Sequence, residues 1–221
     1  MKQDRSISKS DADTLAAMAA ASAAMSGILR AGARVPPFTL PDRQGSKVSL
    51  DHLLMAGPVV LDFVRGAWCA YGEESLAQFA SAYDRITTLG AKAVAIAPHG
   101  RPAHAGDALP MPELIDMDMK VARAFGLAFD LPAELRTRYL ALGYTPPRTQ
   151  IAGSFLVPIP ATYLIDPDGL VVLAYVSVDY RTRFDSESLI TALQALTVRR
   201  KTGERAARQL VMGRRRARHA V

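Results

Sequence analysis

Apolar positions along this chain follow two spacings, and the changes between them mark out its elements. The run Pro58-Val59-Val60-Leu61-Asp62-Phe63-Val64 is almost continuously apolar and ends in Arg65-Gly66. A run of that length predicts a strand buried on both faces near the middle of a sheet. A helical spacing replaces it. Leu76, Phe79, Ala80, Tyr83 and Ile86 predict a helix over 73–89. Residues 91–97 read as the next buried strand, and 98–112, with Gly, Pro and His, as a loop. A short strand at 113–115 precedes a helix over 120–125 capped by Asp118, and a second short helix covers 132–142. A loop over 145–153 leads to a strand at 161–166, a turn at Pro167-Asp168-Gly169 and a hairpin partner over 170–178. Ser186 is the expected cap of a final helix over 187–196.

The first fifty residues are less regular. Residues 1–12 are polar and read as disordered. Residues 12–29 are rich in Ala, Met and Leu, which favours a helix by propensity. Its apolar face is weak, so loose packing is expected, and Gly32, Pro36 and Pro37 end it. A hairpin over 35–49 turns at 41–45, and Ser49 caps a helix running to Met55. The order of elements is β-α-β followed by strand-turn-strand-α. It predicts an α/β architecture with a mixed central sheet flanked by helices. The chain divides into an N-terminal extension (1–33), a domain (34–196) and a C-terminal tail (197–221).

Composition narrows the class. At 221 residues the chain is long enough for a substantial core, and 49% hydrophobic against 22% charged residues is ordinary globular composition. No apolar run reaches the ~18 residues of a membrane helix. Residues 1–9 are polar and 14–25 have little of the Leu, Ile and Phe of a secretory leader, so the expected location is cytoplasmic. The single cysteine agrees, since it permits neither an intramolecular disulfide nor a cysteine-rich zinc site. The net charge of +6 is unevenly placed: residues 197–221 hold nine Lys or Arg and one acid, Glu204, for +8, which leaves −2 for the other 196 residues.

Candidate chemistry centres on Cys69, between the strand ending in Val64 and the helix that follows. A cysteine at such a junction faces unpaired backbone N–H groups and the positive end of a helix dipole, which favour thiolate over thiol. Arg65 adds to that field. Position alone also fits a second reading, in which Cys69 is a small buried apolar side chain. His52, His99, His104 and His219 lie far apart and show no metal-ligand spacing, so no metal and no organic cofactor is expected. The tail reads as a solvated basic helix or coil, and contact with nucleic acid or anionic membrane through 199–218 is the alternative.

Four segments in order carry a resemblance. Residues 59–71, with Arg65-Gly66-Ala67-Trp68-Cys69-Ala70-Tyr71, resemble the R-G-x-W-C-P-Y-C block of peroxiredoxin-like members of the alkyl hydroperoxide reductase/thiol-specific antioxidant (AhpC/TSA) family. Residues 35–42 resemble its opening hairpin, 118–127 its D-x-x-x-x-V-A-R-A-F-G-L helix, and 157–169 its V-P-x-P-A-T-x-x-I-D-x-D-G hairpin. The likeness spans about 34–196 and implies a thioredoxin-like fold. It also implies a cis peptide bond at Ile159-Pro160, facing the active thiol. The chain departs from the pattern in three places. Gly72 stands where the motif has its second cysteine, and typical peroxiredoxins align their peroxidatic cysteine with Gly72 and a threonine with Cys69. Their active-site arginine falls on Pro160, and the usual Glu-Leu after the motif is Ser75-Leu76.

The resemblance implies a one-cysteine thiol oxidoreductase. Cys69 would attack a peroxide or a disulfide, and an external thiol, glutathione or a thioredoxin-like protein, would resolve it. Arg65 would favour the thiolate, and Trp68 and Tyr71 would shape the pocket. Ile159 and Pro160 would dock substrate or partner, and a homodimer is expected by analogy. A redox-inactive scaffold on the same fold, or an adaptor working through the basic tail, is the competing expectation.

Overall fold

The computed structural model describes residues 11–100, 108–147, 153–182 and 184–218, with 11, 12 and 203–218 described by backbone alone. Its centre is strand β3, Val59–Phe63, whose five residues are all buried. Alternation along β3 splits the core in two. Val59, Leu61 and Phe63 join one apolar cluster, and Val60 joins the other with Val64 just beyond the strand. Strand β4, Lys92–Ala97, pairs parallel with β3, with Phe63 opposite Ile96. Beside β4 runs β5, Glu113–Ile115, also parallel. On the other flank β8, Ala161–Ile165, is antiparallel to β3 with Phe63 opposite Ala161, and β9, Val171–Val176, is antiparallel to β8. The five-stranded mixed sheet therefore has the order β5-β4-β3-β8-β9.

Helix α3, Ala70–Thr88, buries Leu76, Phe79, Ala82 and Ile86 on one stripe. Ala93, Ala95 and Ala97 of β4 share that cluster, and their small side chains leave room for the helix. Helix α6, Ser186–Arg218, adds Leu189, Ile190, Leu193 and Leu196 to it. The opposite face carries helix α1, Asp11–Ala23, a 3-10 turn at Ala24–Gly27, helix α2, Leu50–Ala56, helix α4, Lys120–Ala124, and helix α5, Ala133–Ala141. Two small antiparallel pairs complete the fold: β1, Thr39–Pro41, with β2, Lys47–Ser49, and β6, Ala128–Asp130, with β7, Leu156–Pro158.

Several expectations are corrected. Helix α1 packs closely, with Thr14, Ala17 and Ala21 buried, because small side chains let its backbone approach the core. The cap of α4 is Asp116, whose carboxylate accepts from Val121 N at 3.2 Å and Ala122 N at 2.8 Å. Asp118 accepts from Lys120 N at 3.4 Å and pairs with Lys120 Nζ at 2.9 Å. Met119, at φ 52°, turns the chain so that Asp116 reaches the helix end. The last helix is capped by Asp185, which accepts from Glu187 N and Ser188 N. That helix runs on to Arg218 rather than ending near Leu196, since no proline interrupts 197–218. The β6–β7 pair had no counterpart in the sequence reading. Ser49 does cap α2, accepting from His52 N at 3.2 Å. Of the stretch 1–12 expected to be disordered, residues 11 and 12 open α1, while 1–10, like His104 and His219, lie outside the described residues. No helix among the described residues is long and apolar enough to cross a membrane.

Candidate active site

The segment between β3 and α3 is folded tightly by its own backbone. Val64 N continues the parallel ladder to Ile96 O at 2.9 Å. Gly66 then takes φ 97°, a region that side chains other than glycine's rarely occupy. Cys69 N donates back to Gly66 O at 3.1 Å, and Trp68 Nε1 donates to Arg65 O at 2.5 Å. The loop thus delivers Cys69 to the N-cap of α3, where its carbonyl accepts from Glu73 N at 3.1 Å. The thiol makes no side-chain capping bond and has no exposed surface.

Arg65 is the unusual partner. It is 2% exposed, and among the described residues it meets no carboxylate at ion-pair distance and its Nε has no hydrogen-bond partner. Aromatic rings replace the missing counter-charge. The guanidinium carbon lies 4.2 Å from the Tyr180 ring centre, 4.8 Å from Trp68 and 5.8 Å from Tyr139, and Nη2 donates to the Tyr139 hydroxyl at 3.3 Å. Burial works against the cation, but interaction with Cys69, and then with Tyr139 and Tyr180, acts the other way and holds the Arg65 pKa above its ordinary value. A desolvated cation in a ring cage is strongly attractive to an anion placed beside it.

Around this pair the rings form one cluster. Trp68 packs on Tyr144 at 4.7 Å and Tyr139 at 5.3 Å, and Tyr71 on Tyr180 at 5.8 Å. Burial pushes the Tyr144 and Tyr180 hydroxyls upward in pKa, so both stay neutral hydrogen-bonding groups. Tyr144 donates to Leu156 O. Gly72 sits in the first turn of α3, pressed against the loop. A Cβ there would lie 3.1 Å from Gly66 O and 3.3 Å from the Arg65 Cβ.

Register sets Pro160 one step before Ala161, beside the exit of β3. The Ile159-Pro160 bond is trans, correcting the cis expectation. Ile159 N reaches Leu127 O at 2.8 Å, and Pro160 O accepts from Ser177 N at 3.2 Å. Both backbone groups are satisfied with the more stable trans isomer, favoured for X-Pro by about 0.5–1 kcal/mol. Ile159 is buried and Pro160 half-buried. His52 is exposed and His99 bonds Thr145 O at 2.6 Å. No three potential metal ligands cluster among the described residues.

Sequence reasoning missed two features. Tyr139, Tyr144 and Tyr180 lie 70 to 111 positions from Cys69 and carry no local spacing to link them. Asp62, inside the apolar run, is 4% exposed; it accepts from Thr162 Oγ1 at 2.7 Å while Oδ2 has no partner. Burial raises its pKa to about 7 against the lowering effect of the Thr162 bond. One carboxylate in an otherwise apolar central strand was the available clue.

A model described as the AhpC/TSA family matches residues 31–174. The fold resembles the peroxidoxin BcpB of Mycobacterium tuberculosis, at 23% identity and TM-score 0.57 over 76% of this chain and 97% of that one. It also resembles the yeast mitochondrial 1-Cys peroxiredoxin, at 14% identity and TM-score 0.59 over 80% of each chain. The reduced 2-Cys peroxiredoxin of Plasmodium vivax gives 13% identity and TM-score 0.59 over 79% and 85%. No curated protein matches the chain in sequence.

Proposed function

Because the chain belongs to the AhpC/TSA family, we propose that it reduces peroxides through Cys69 and regenerates that thiol with an external one. The observation that carries this reading is the pairing of an N-cap cysteine with a buried, aromatic-caged Arg65 that has no carboxylate partner among the described residues. Arg65 lies four residues before Cys69. It supplies a cation to the site in a chain that aligns a proline with the family's usual arginine.

The first step is a displacement. The Cys69 thiolate attacks one peroxide oxygen, the S–O bond forms as the O–O bond breaks, and the leaving alkoxide or hydroxide takes a proton to depart as alcohol or water. Sulfur is oxidised to the sulfenic acid and the peroxide is reduced. A first external thiol then displaces the sulfenic hydroxyl as water and leaves a mixed disulfide. A second thiol attacks the external sulfur, releasing the Cys69 thiolate and an oxidised external disulfide. Gly72 cannot resolve the intermediate, so both electrons come from outside. The yeast mitochondrial neighbour is a 1-Cys peroxiredoxin whose thiol is resolved via the glutathione/thioredoxin systems, and the same reductant classes are proposed here. Trp68 and Tyr71 wall the sulfur, and Ile159-Pro160 is the proposed docking edge for the partner. Full burial of Cys69 favours a small peroxide over a protein disulfide as the oxidant.

The test is intact mass after hydrogen peroxide, with and without glutathione. One added oxygen, or one glutathione, lost in Cys69→Ser supports the reading. A reduced chain that gains neither sinks it and favours the redox-inactive scaffold.

A further inference from the structure

The cycle needs the Cys69 sulfur twice. A small peroxide must reach it once, and a thiol must then approach it in line to displace water. The second visitor is larger, and thiol exchange depends on access to the sulfur attacked. Cys69 has no exposed surface, so part of its surround has to open during turnover.

Two parts of that surround are tied to one helix. Tyr180 covers Arg65 and packs on Tyr71, and its hydroxyl donates to Thr14 Oγ1 of α1 at 3.4 Å, with both residues buried. Arg138 of α5 forms an ion pair with Asp13 of α1, each side chain about one-third exposed. The next residue, Tyr139, accepts the Arg65 hydrogen bond and packs on Trp68. Ala17 and Ala21 of α1 belong to the same apolar cluster as Trp68 and Cys69. Both α1 and Tyr180 lie outside the matched family segment, 31–174. A 13-residue helix is marginal by itself, and one that buries mainly alanines holds on with little apolar area. It therefore belongs to the part of the molecule that opens most cheaply.

We propose that α1 is the latch of this site, a positioning element that pins Tyr180 and α5 over Arg65 and Cys69 and so determines which thiols reach the sulfur. A small peroxide reacts with the latch closed, and a bulky thiol waits for α1 to release. The proposal rests on Cys69 being the reactive thiol, but its test needs no peroxide.

The experiment compares alkylation of Cys69 in the full chain by iodoacetamide and by a bulky maleimide. The variants are Thr14→Val, Asp13→Asn and both together. Thr14→Ser is the rescue. Glu187→Gln is the control, because it weakens an exposed ion pair with Arg85, away from the latch. Each single latch variant is expected to raise the maleimide rate roughly 2- to 10-fold, the size of one lost hydrogen bond or ion pair. The double variant should exceed either single. The iodoacetamide rate should rise less, Thr14→Ser should return to the parent rate, and Glu187→Gln should leave both rates unchanged. An unchanged maleimide rate in the double variant, or an equal rise in Glu187→Gln, overturns the latch. A parent chain that resists peroxide while its latch variants alkylate faster refutes the peroxidase reading and upholds the latch.

Discussion

The carboxyl of Asp62 allows a quantitative test of how this fold treats buried charge. Its pKa rises from 3.8 to about 7 on folding because burial penalises the anion, and the Thr162 hydrogen bond only partly offsets this. The crevice beside it is lined by Ser75, Gln78, Phe79, Ala82, Phe184, Ser186 and Leu189, with no cation among them. The unfolded chain releases the Asp62 proton near pH 4, whereas the folded chain keeps it to about pH 7. Between those values the folded state binds the extra proton, so stability falls as pH rises through the window and levels off above it. A shift of about three units corresponds to roughly 4 kcal/mol. Asp62→Asn keeps an oxygen for Thr162 and removes the titration. The variant should therefore be more stable than the parent at pH 8, by up to about 4 kcal/mol less roughly 1 kcal/mol for an amide N–H without an acceptor. At pH 4 it should be equal or less stable. Urea unfolding at pH 4, 5, 6, 7 and 8 measures the difference, in which groups common to both proteins cancel. Parallel stability curves for parent and variant would refute the argument.

Further predictions concern the active loop and the tail. Gly72→Ala should destabilise by about 1–2 kcal/mol in thermal or urea unfolding, although an alanine inside a helix ordinarily gains about 1 kcal/mol, because its Cβ meets Gly66 O at 3.1 Å. A stabilised variant would show that the loop yields. Arg65→Met should slow Cys69 alkylation through loss of the neighbouring cation, while Arg65→Lys loses less. Equal rates in all three proteins would remove Arg65 from the site. Trp68→Ala opens the ring cluster and should cost about 3–5 kcal/mol by denaturant unfolding. Any binding of the chain to DNA should weaken steeply with salt and vanish on deleting 199–221, and binding that survives the deletion places the contact on the domain.

Local spacing made much of the scaffold legible. The apolar run at β3, the helical stripe of α3, the β8–β9 hairpin and the Ser49 cap each depend on neighbours within a few positions, and each appears in the fold. Two of the four family-like segments, 59–71 and 157–169, lie on these elements. What required distant residues was not legible. The three-residue strands β6 and β7 exist because each finds the other across an intervening helix. The caps Asp116 and Asp185 were overlooked because chain direction, set by Met119 in one case, decides which carboxylate reaches the helix end. The family resemblance implies a cis Ile159-Pro160 bond, and the bond is trans.

For the site, the sequence by itself determined that a lone cysteine begins a helix, with Trp68 beside it and Arg65 one turn of loop away. It also determined that Gly72 has no thiol to offer, which rules out any disulfide within the motif. Only the tertiary structure decided that Arg65 is buried with no carboxylate beside it among the described residues, and that Tyr139, Tyr180 and α1 close over it. Helix starts and strand runs follow from contacts between near neighbours, which spacing records. A cage around a charge follows from where distant elements meet, and that depends on the packing of the whole chain.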